Sequence, residues 1–486
     1  LISSDTQPSH ASVGAGSGSS RDNLIGALAF LVAVVVLSTG LGRIPLLQPD
    51  EGRNAEVARE MKESGAWLVP TYNGADYLDK PAFYFKAVGL SLAVFGNNEA
   101  AARAPSMLFG IGLLVATYFF CRRFVNPRCA ALAVMIVATT PLYLTYSRLV
   151  IFDMAVSFFV CIAILAGYVA EECEGVSRRN WYLAGAAAAG FATLVKGPVG
   201  FIVPALVLLV CNAVEGRRGA WKRLLAPLNF VVFFAVVLPW FIGVSVVHSD
   251  FPRYGLVEES FNRFTTGSFR RAKPAYFYPL IIAATFVPWS LLFPESILMT
   301  WRRRAQLSRV DRFCIVWAIV VVIFFSLSKS KMPGYVLSLA VSLGILSARL
   351  FDHAMASGGW AARLILRVTT LLAFGCLCIA SLVWWGQSQS QLVGGILKLD
   401  WQETEKLLEH TTGLTVVFLI AAGVAALARF RRSVVLSLAA FVFPLALLVI
   451  FNGGLLELIG NRRSPRDLAA RMSPTTADTD VACLEC

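Results

Sequence analysis

LAPLNFVVFFAVVLPWFIGVSVV, residues 225–247, contains no charged side chain. A membrane-crossing helix needs about 20 mostly apolar residues, because hydrocarbon offers backbone amides no partner outside the helix. This stretch meets that requirement. Its two flanks differ: Arg217, Arg218, Lys222 and Arg223 precede it, whereas His248 opens a longer connection running to 275.

The rest of the chain repeats the pattern. Of 486 residues, 57% are hydrophobic and only 15% charged, with a mean hydropathy of +0.67. Soluble domains carry about 25% charged residues. Too few charges remain here to coat several water-facing domains, which excludes a disordered chain, a disulfide scaffold and a nucleic-acid module. Apolar stretches recur near 24–42, 104–122, 129–147, 151–170, 181–195, 198–214, 276–298, 313–327, 333–350, 364–385, 412–429 and 433–452. With 225–247 they predict an all-α polytopic membrane protein of about thirteen spans. Residues 82–96, which contain Lys86 and follow Pro81, read as an interfacial helix.

The net charge of +13 reflects topology. Arg122, Arg123 and Arg128 share one loop, and Arg178 and Arg179 another. Arg302, Arg303, Arg304, Arg309 and Arg312 follow in a later loop; Arg349, Arg363 and Arg367, and then Arg429, Arg431 and Arg432, complete the series. All these loops, with 217–223, fall on one side of the expected topology, which is therefore cytoplasmic. The other side holds the longer connections 43–103, 248–275 and 386–411, the short turns, and most of the acids. Chemistry there has no cytoplasmic nucleotide to draw on.

Residues 1–22 are rich in Ser and Gly and read as a disordered tail. Residues 23–455 form the expected membrane domain, and 456–486 begin a soluble segment that is expected to continue. Cys161, Cys211, Cys376 and Cys378 lie inside apolar runs, where cysteine acts as a small hydrophobe. Cys483 and Cys486 form a lone CxxC without a second ligand pair.

The first outer loop, LLQPDEGRNAEVAREMKESGAWLVPTYNGADYLDKPAFYF, places Asp50 and Glu51 directly after the first span. Carboxylates at that depth serve either as a general base or as caps of the following helix. Asp153, in SRLVIFDMAV, lies just inside the outer end of a span; Arg148 is its bland partner, and convergence with Asp50 on one cleft its functional reading. Lys196 in LVKGPVG, and Lys329 and Lys331 in SKSKMPGYVL, occupy short outer turns. With Lys80 they are either snorkelling span ends or counter-ions for an anionic lipid. Asp79, Glu258 and Glu259 either offer oxygen atoms to a hard divalent cation or, for Glu258 and Glu259, form a solvated face near Arg263.

In order along the chain, PDEGRNAEVAREM, LDKPAFYF, SRLVIFD, LVKGPVG and SKSKMPGYVL resemble the GT-C lipid-linked-sugar glycosyltransferases. The likeness is strongest to the 4-amino-4-deoxy-L-arabinose (lipid A) transferases within the protein mannosyltransferase superfamily. The resemblance implies a GT-C architecture with interfacial helices in the first periplasmic loop (43–103), in a bacterial inner membrane with its site facing the periplasm. It implies an undecaprenyl-phosphate sugar donor, a lipid A-like glycolipid or other envelope acceptor, and inverting single displacement. Asp50 and Asp153 would be the catalytic carboxylates. Lys80, Lys196, Lys331 and Tyr335 would hold the lipid phosphate, with Glu51, Arg53 and Lys329 in support. Asp79 and Glu259 would be metal ligands. Glu259 stands where the family has a histidine, so an oxygen-bound divalent cation, or none, is expected in place of zinc. A polyprenyl-phosphate-hexose-dependent mannosyltransferase acting on protein or envelope glycan is the alternative within the enzyme class. A flippase for lipid-linked sugars is the alternative outside it, but the acids gather at one interface and no repeat relates the halves.

Overall fold

A computed structural model of the chain describes residues 18–253, 255, 273–389, 391, 401–451, 457 and 460. Glu258, Glu259, Arg263, Cys483 and Cys486 lie outside the described residues, as does nearly all of 456–486.

The helices follow in chain order: α1 (Gly18–Ser38), α2 (Asp50–Ser64), α3 (Phe83–Phe95), α4 (Glu99–Phe124), α5 (Pro127–Ala138), α6 (Pro141–Tyr146), α7 (Phe152–Glu171), α8 (Gly175–Lys196), α9 (Val199–Val214), α10 (Ala220–Leu224), α11 (Pro227–Val247) and a turn, α12 (Phe251–Arg253). Then come α13 (Phe277–Thr285), α14 (Phe293–Arg302), α15 (Arg309–Leu327), α16 (Leu339–Ser357), α17 (Gly359–Ser388), α18 (Trp401–Phe430) and α19 (Val434–Phe451). The first helix begins at Gly18, inside the stretch read as a tail.

All thirteen apolar stretches fall on helix, but not all on one straight rod. The stretch 129–147 breaks between α5 and α6, because Pro141 cannot donate to the preceding turn. Likewise, 276–298 bends by 112° between α13 and the segment Trp289–Arg302. Among the described residues seven helices are long and apolar enough to cross a membrane, or eight if that bent pair is one span. The multi-pass helical class stands, while the count of thirteen crossings is not established by helix length.

Local sequence explains the element ends. Asn98 and Asn126 accept hydrogen bonds from the Ala101 and Cys129 amides, at 2.8 and 2.7 Å, and so cap α4 and α5. Ser308 and Asp311 form a reciprocal capping box at the start of α15. In α2 the acids Asp50 and Glu51 occupy the first turn and Lys62 the last, as the helix dipole favours; Gly65, at φ 70°, closes the helix.

At one end of the bundle the basic loops meet. Arg223 reaches Glu171 at 2.6 Å and Arg312 reaches Glu215 at 2.6 Å, while Arg217 pairs with Glu172 and Arg349 with Asp311. Arg128 adds Asp352 at 2.5 Å. Five acids therefore sit among the arginines on the side expected to be mainly basic, pairing charges that would otherwise repel.

At the opposite end the first outer loop forms a two-stranded hairpin, β1 (Thr71–Tyr72) and β2 (Ala75–Asp76). Asn73 and Gly74 both have positive φ, the geometry of a tight hairpin turn. Glu60 of α2 accepts from the Thr71 hydroxyl at 2.6 Å, the Asn73 amide at 2.6 Å and the Gly74 amide at 3.3 Å. Buried α7 packs against α4, α8 and α9 and carries Asp153 towards this end.

Candidate active site

The site begins with a short extended connection. Between α6 and α7 the chain passes through Val150 and Ile151, and α2 grips it from both sides. Glu51 accepts the Val150 amide at 2.8 Å, and the Asn54 side chain donates to the Val150 carbonyl at 2.8 Å. Glu51 is itself held by Arg103 of α4 through two bonds of 2.9 and 2.8 Å. Arg103 also donates to the carbonyls of Leu41, Ile44 and Pro45, at 2.9, 2.6 and 3.0 Å. Both side chains are 2% exposed. An ion pair that deep persists only when its remaining donors and acceptors are used, and here they are. Glu51 thus fixes backbone, and through it the first turn of α7.

Asp153 sits in that first turn, buried. Its partner is Lys196, the last residue of α8, at 2.7 Å. The sequence alternative, Arg148, instead donates to the carbonyls of Val36, Leu37 and Thr39 at the end of α1, at 2.9, 3.1 and 2.6 Å. Gly197 follows Lys196 with φ 77°, a conformation that suits glycine, and turns the chain into α9. The Lys196 ammonium also lies 4.8 Å from the centre of the Tyr335 ring, within cation–π range. Gly334 lets the turn at Pro333–Val336 approach this pair. A Cβ there would collide with Asp153 Oδ1 and lie 2.7 Å from Tyr146 Cε1.

These groups line one cavity of 460 Å³. Its lining includes the polar or charged residues Asp79, Lys80, Asp153, Ser157, Lys196, Ser328, Ser330, Tyr335 and Ser338. The remainder is chiefly apolar, built from side chains such as Val160, Ile202, Val203, Phe241, Phe324 and Phe325. Lys80 donates to the Asp79 carbonyl at 2.7 Å. A chiefly apolar space whose wall also carries two lysines suits an amphiphile with an anionic head.

Of the expected site residues, Asp79, Lys80, Asp153, Lys196 and Tyr335 share this wall, and five others do not line it. Asp50, at the start of α2, pairs with Arg53 at 2.6 Å and is partly exposed. The structure therefore does not bring Asp50 onto the wall that holds Asp153. Glu51 is the buried clamp already described. Lys331 is buried and donates to the Ser328 carbonyl behind the wall, whereas Lys329 is exposed. Among the described residues no group of three His, Cys, Asp or Glu side chains is arranged to hold a metal.

Sequence reasoning missed Asn54 and Arg103. Asn54 does lie in the quoted outer-loop motif, three positions after Glu51. Arg103 was an isolated base at the end of the same loop.

Comparison with known proteins bears on this arrangement. The profile of the dolichyl-phosphate-mannose-protein mannosyltransferase family matches residues 79–242, the segment holding Lys80, Asp153 and Lys196. The crystal structure of ArnT from Cupriavidus metallidurans bound to undecaprenyl phosphate superposes with a TM-score of 0.77, at 27% identity, covering 94% of this chain and 82% of that one. The chain has the GT-C fold and resembles ArnT. An undecaprenyl phosphate-alpha-4-amino-4-deoxy-L-arabinose arabinosyl transferase from Serratia proteamaculans is 29% identical over 361 residues, 73% of this chain and 64% of the relative. A second, from Pseudomonas fluorescens, is 30% identical over 325 residues, 65% of this chain and 54% of the relative. The chain spans less than two thirds of the length of these ArnT-type relatives.

Proposed function

We propose that this chain is a membrane glycosyltransferase that moves a sugar from a polyprenyl-phosphate-linked donor to a lipid A-like or other cell-envelope acceptor. The observation that carries this reading is the single cavity lined by Lys80, Lys196, Tyr335 and Asp153 together with many apolar side chains. The work is done in the bacterial inner membrane, at the periplasmic end of the bundle, opposite the arginine-rich loops.

Donor activation is electrostatic. A glycosyl phosphate already contains a leaving group, and cations that neutralise the departing phosphate lower the barrier. Lys80 and Lys196 supply that charge. The bond from the anomeric carbon to the phosphate oxygen breaks while an acceptor oxygen bonds to the opposite face of that carbon. The acceptor proton passes to a carboxylate, Asp50, and polyprenyl phosphate leaves, so configuration inverts in one displacement. Asp153 orients Lys196 and faces the sugar. Lys331 reinforces the positive potential from behind the wall, and Glu51, Arg53 and Lys329 act in support.

Asp79 lies on the cavity wall beside Lys80. With Glu259 it would give an all-oxygen donor set suited to a hard divalent cation, which when bound would add positive charge beside the phosphate. Chelation followed by readdition, with Asp79→Ala and Glu259→Ala, tests that part of the proposal.

The match to a mannosyltransferase profile over 79–242 favours one second reading, in which the donor carries a hexose and the acceptor is protein or another glycan. In both cases purified protein should move labelled sugar from polyprenyl phosphate to acceptor, and Asp50→Asn should lower turnover by about 100-fold or more. Full turnover by Asp50→Asn would remove Asp50 from the mechanism. Translocation of lipid-linked sugar across vesicles without acceptor would instead identify a flippase.

A further inference from the structure

The apolar stretch 276–298 does not end as a span ends. Tyr278 of α13 donates to the Met332 carbonyl at 3.4 Å, in the turn beside the cavity. By Trp289 the chain has reached the other end of the bundle. That indole packs on Phe351 and Phe441, with ring centres 6.1 and 5.2 Å away, and Phe351 adjoins Asp352, the partner of Arg128. The 112° bend then turns the chain aside into α14. None of the 10 residues of α14 is buried. Helical spacing puts Pro294, Ile297, Leu298 and Trp301 on one face, with Ile297 68% and Trp301 69% exposed. Glu295 lies on another side, where Arg367 reaches it at 3.3 Å.

A helix this short with no buried side chain is not stable in water by itself, so something must cover its apolar face. The surroundings indicate what that is. α14 emerges directly from a membrane-spanning bundle, which leaves it at the edge of the bilayer. Arg302, Arg303 and Arg304 close it, all three exposed. The Arg303 and Arg304 guanidinium groups lie 5.6 and 5.2 Å from the Trp360 and Trp301 ring centres. Among the described residues none of the three arginines pairs with a carboxylate. Aromatic and aliphatic side chains on one face, with unpaired cations beside them, match a helix lying in the plane of a membrane surface, and guanidinium groups match phosphate oxygens. We propose that α14 is a lipid-surface helix whose apolar face enters the inner leaflet while Arg302, Arg303 and Arg304 bind the phosphates of anionic phospholipid headgroups there. This surface is remote from the donor cavity and does not depend on which sugar or acceptor the enzyme uses.

The test is hydrogen exchange of the full chain in nanodiscs of phosphatidylglycerol and, separately, of phosphatidylcholine. Amides of residues 296–302 should exchange about tenfold more slowly in the anionic lipid, as expected for basic side chains at a negative surface. A variant with Arg302→Gln, Arg303→Gln and Arg304→Gln should exchange in phosphatidylglycerol at the phosphatidylcholine rate. The same replacement of Arg429, Arg431 and Arg432, exposed arginines at the same end, should leave the difference between lipids intact. Leu298→Ser with Trp301→Ser should exchange fast in both lipids, and unchanged exchange in α7 shows that each variant has folded. Equal wild-type exchange in the two lipids, a difference that survives loss of Arg302, Arg303 and Arg304, or its equal loss in the Arg429, Arg431 and Arg432 variant would overturn the assignment. So would protection of α14 in lipid-free detergent that rises with protein concentration, which assigns the face to a second copy of the chain.

Discussion

Lys196 is the residue on which the cavity's electrostatics turn, because it answers to three groups at once. It neutralises Asp153, lies over Tyr335, and faces the space beside Lys80. Lys196→Met would leave Asp153 buried without its ion-pair partner and remove half of the proposed phosphate charge. We expect at least a tenfold fall in kcat/KM for the lipid-phosphate donor, in line with truncation of a desolvated pair. The acceptor KM should change little, and steady-state kinetics with each substrate varied in turn separates the two. Much of this is legible in the chain itself. Asp153, Lys196, Lys80 and Tyr335 stand in short motifs at the ends of apolar runs, where a charge needs a reason to exist. What the motifs do not reveal is the pairing: Lys196 is 43 positions from Asp153, whereas the wrong candidate, Arg148, is five away.

At the scale of elements, α2 does two jobs. Its inner face clamps Val150 through Glu51 and Asn54, and its outer face latches the hairpin through Glu60. Replacing Arg103 by Leu would strand Glu51 in a site with almost no solvent. Such a change costs about 3–5 kcal/mol and should appear as a lower melting temperature together with reduced donor binding, because the start of α7 loses its anchor. The hairpin latch depends on pH. Burial pushes the Glu60 carboxyl upward, but hydrogen bonds from Thr71, Gly74 and Asn73, with help from Arg59, outweigh it and hold the group below its ordinary value. A depressed carboxylate contributes stability that is fully present above its unfolded pKa and lost as pH falls through the folded one. Hydrogen exchange at the Asn73 and Gly74 amides should therefore stay slow at neutral pH and, relative to other amides, lose protection below about pH 4. A pH-independent protection factor would show that Glu60 does not hold the turn. The apolar residues Ala55, Val57, Ala58 and Met61 mark α2 as an amphipathic helix, yet the face that matters is set by residues 52 and 96 positions away.

Across the whole molecule, two ends of one bundle carry opposite tasks. Ion pairs such as Arg312 with Glu215 tie the arginine-rich loops together, and the Arg312 guanidinium holds the Glu215 carboxyl below its usual range. The other end holds the hairpin and the cavity. Single cysteines placed at Arg218 and at Gly74 should be labelled by a membrane-impermeant reagent from opposite sides of sealed vesicles. Labelling of both from one side would break the assigned topology. The alternation of basic loops along the chain makes this polarity legible in the sequence. The number of crossings is less legible, because Pro141 and the 112° bend before Trp289 interrupt stretches that composition alone presents as continuous.

Direct imaging of the chain with a polyprenyl phosphate bound tests the central claim most sharply. Electron cryomicroscopy in nanodiscs should show the phosphate within hydrogen-bonding distance of the Lys80 and Lys196 ammonium groups, with the first isoprene units lying against Val160, Ile202 and Phe324. A headgroup located at the arginine-rich end, or a cavity that stays empty at saturating lipid while the protein is active, would contradict the account.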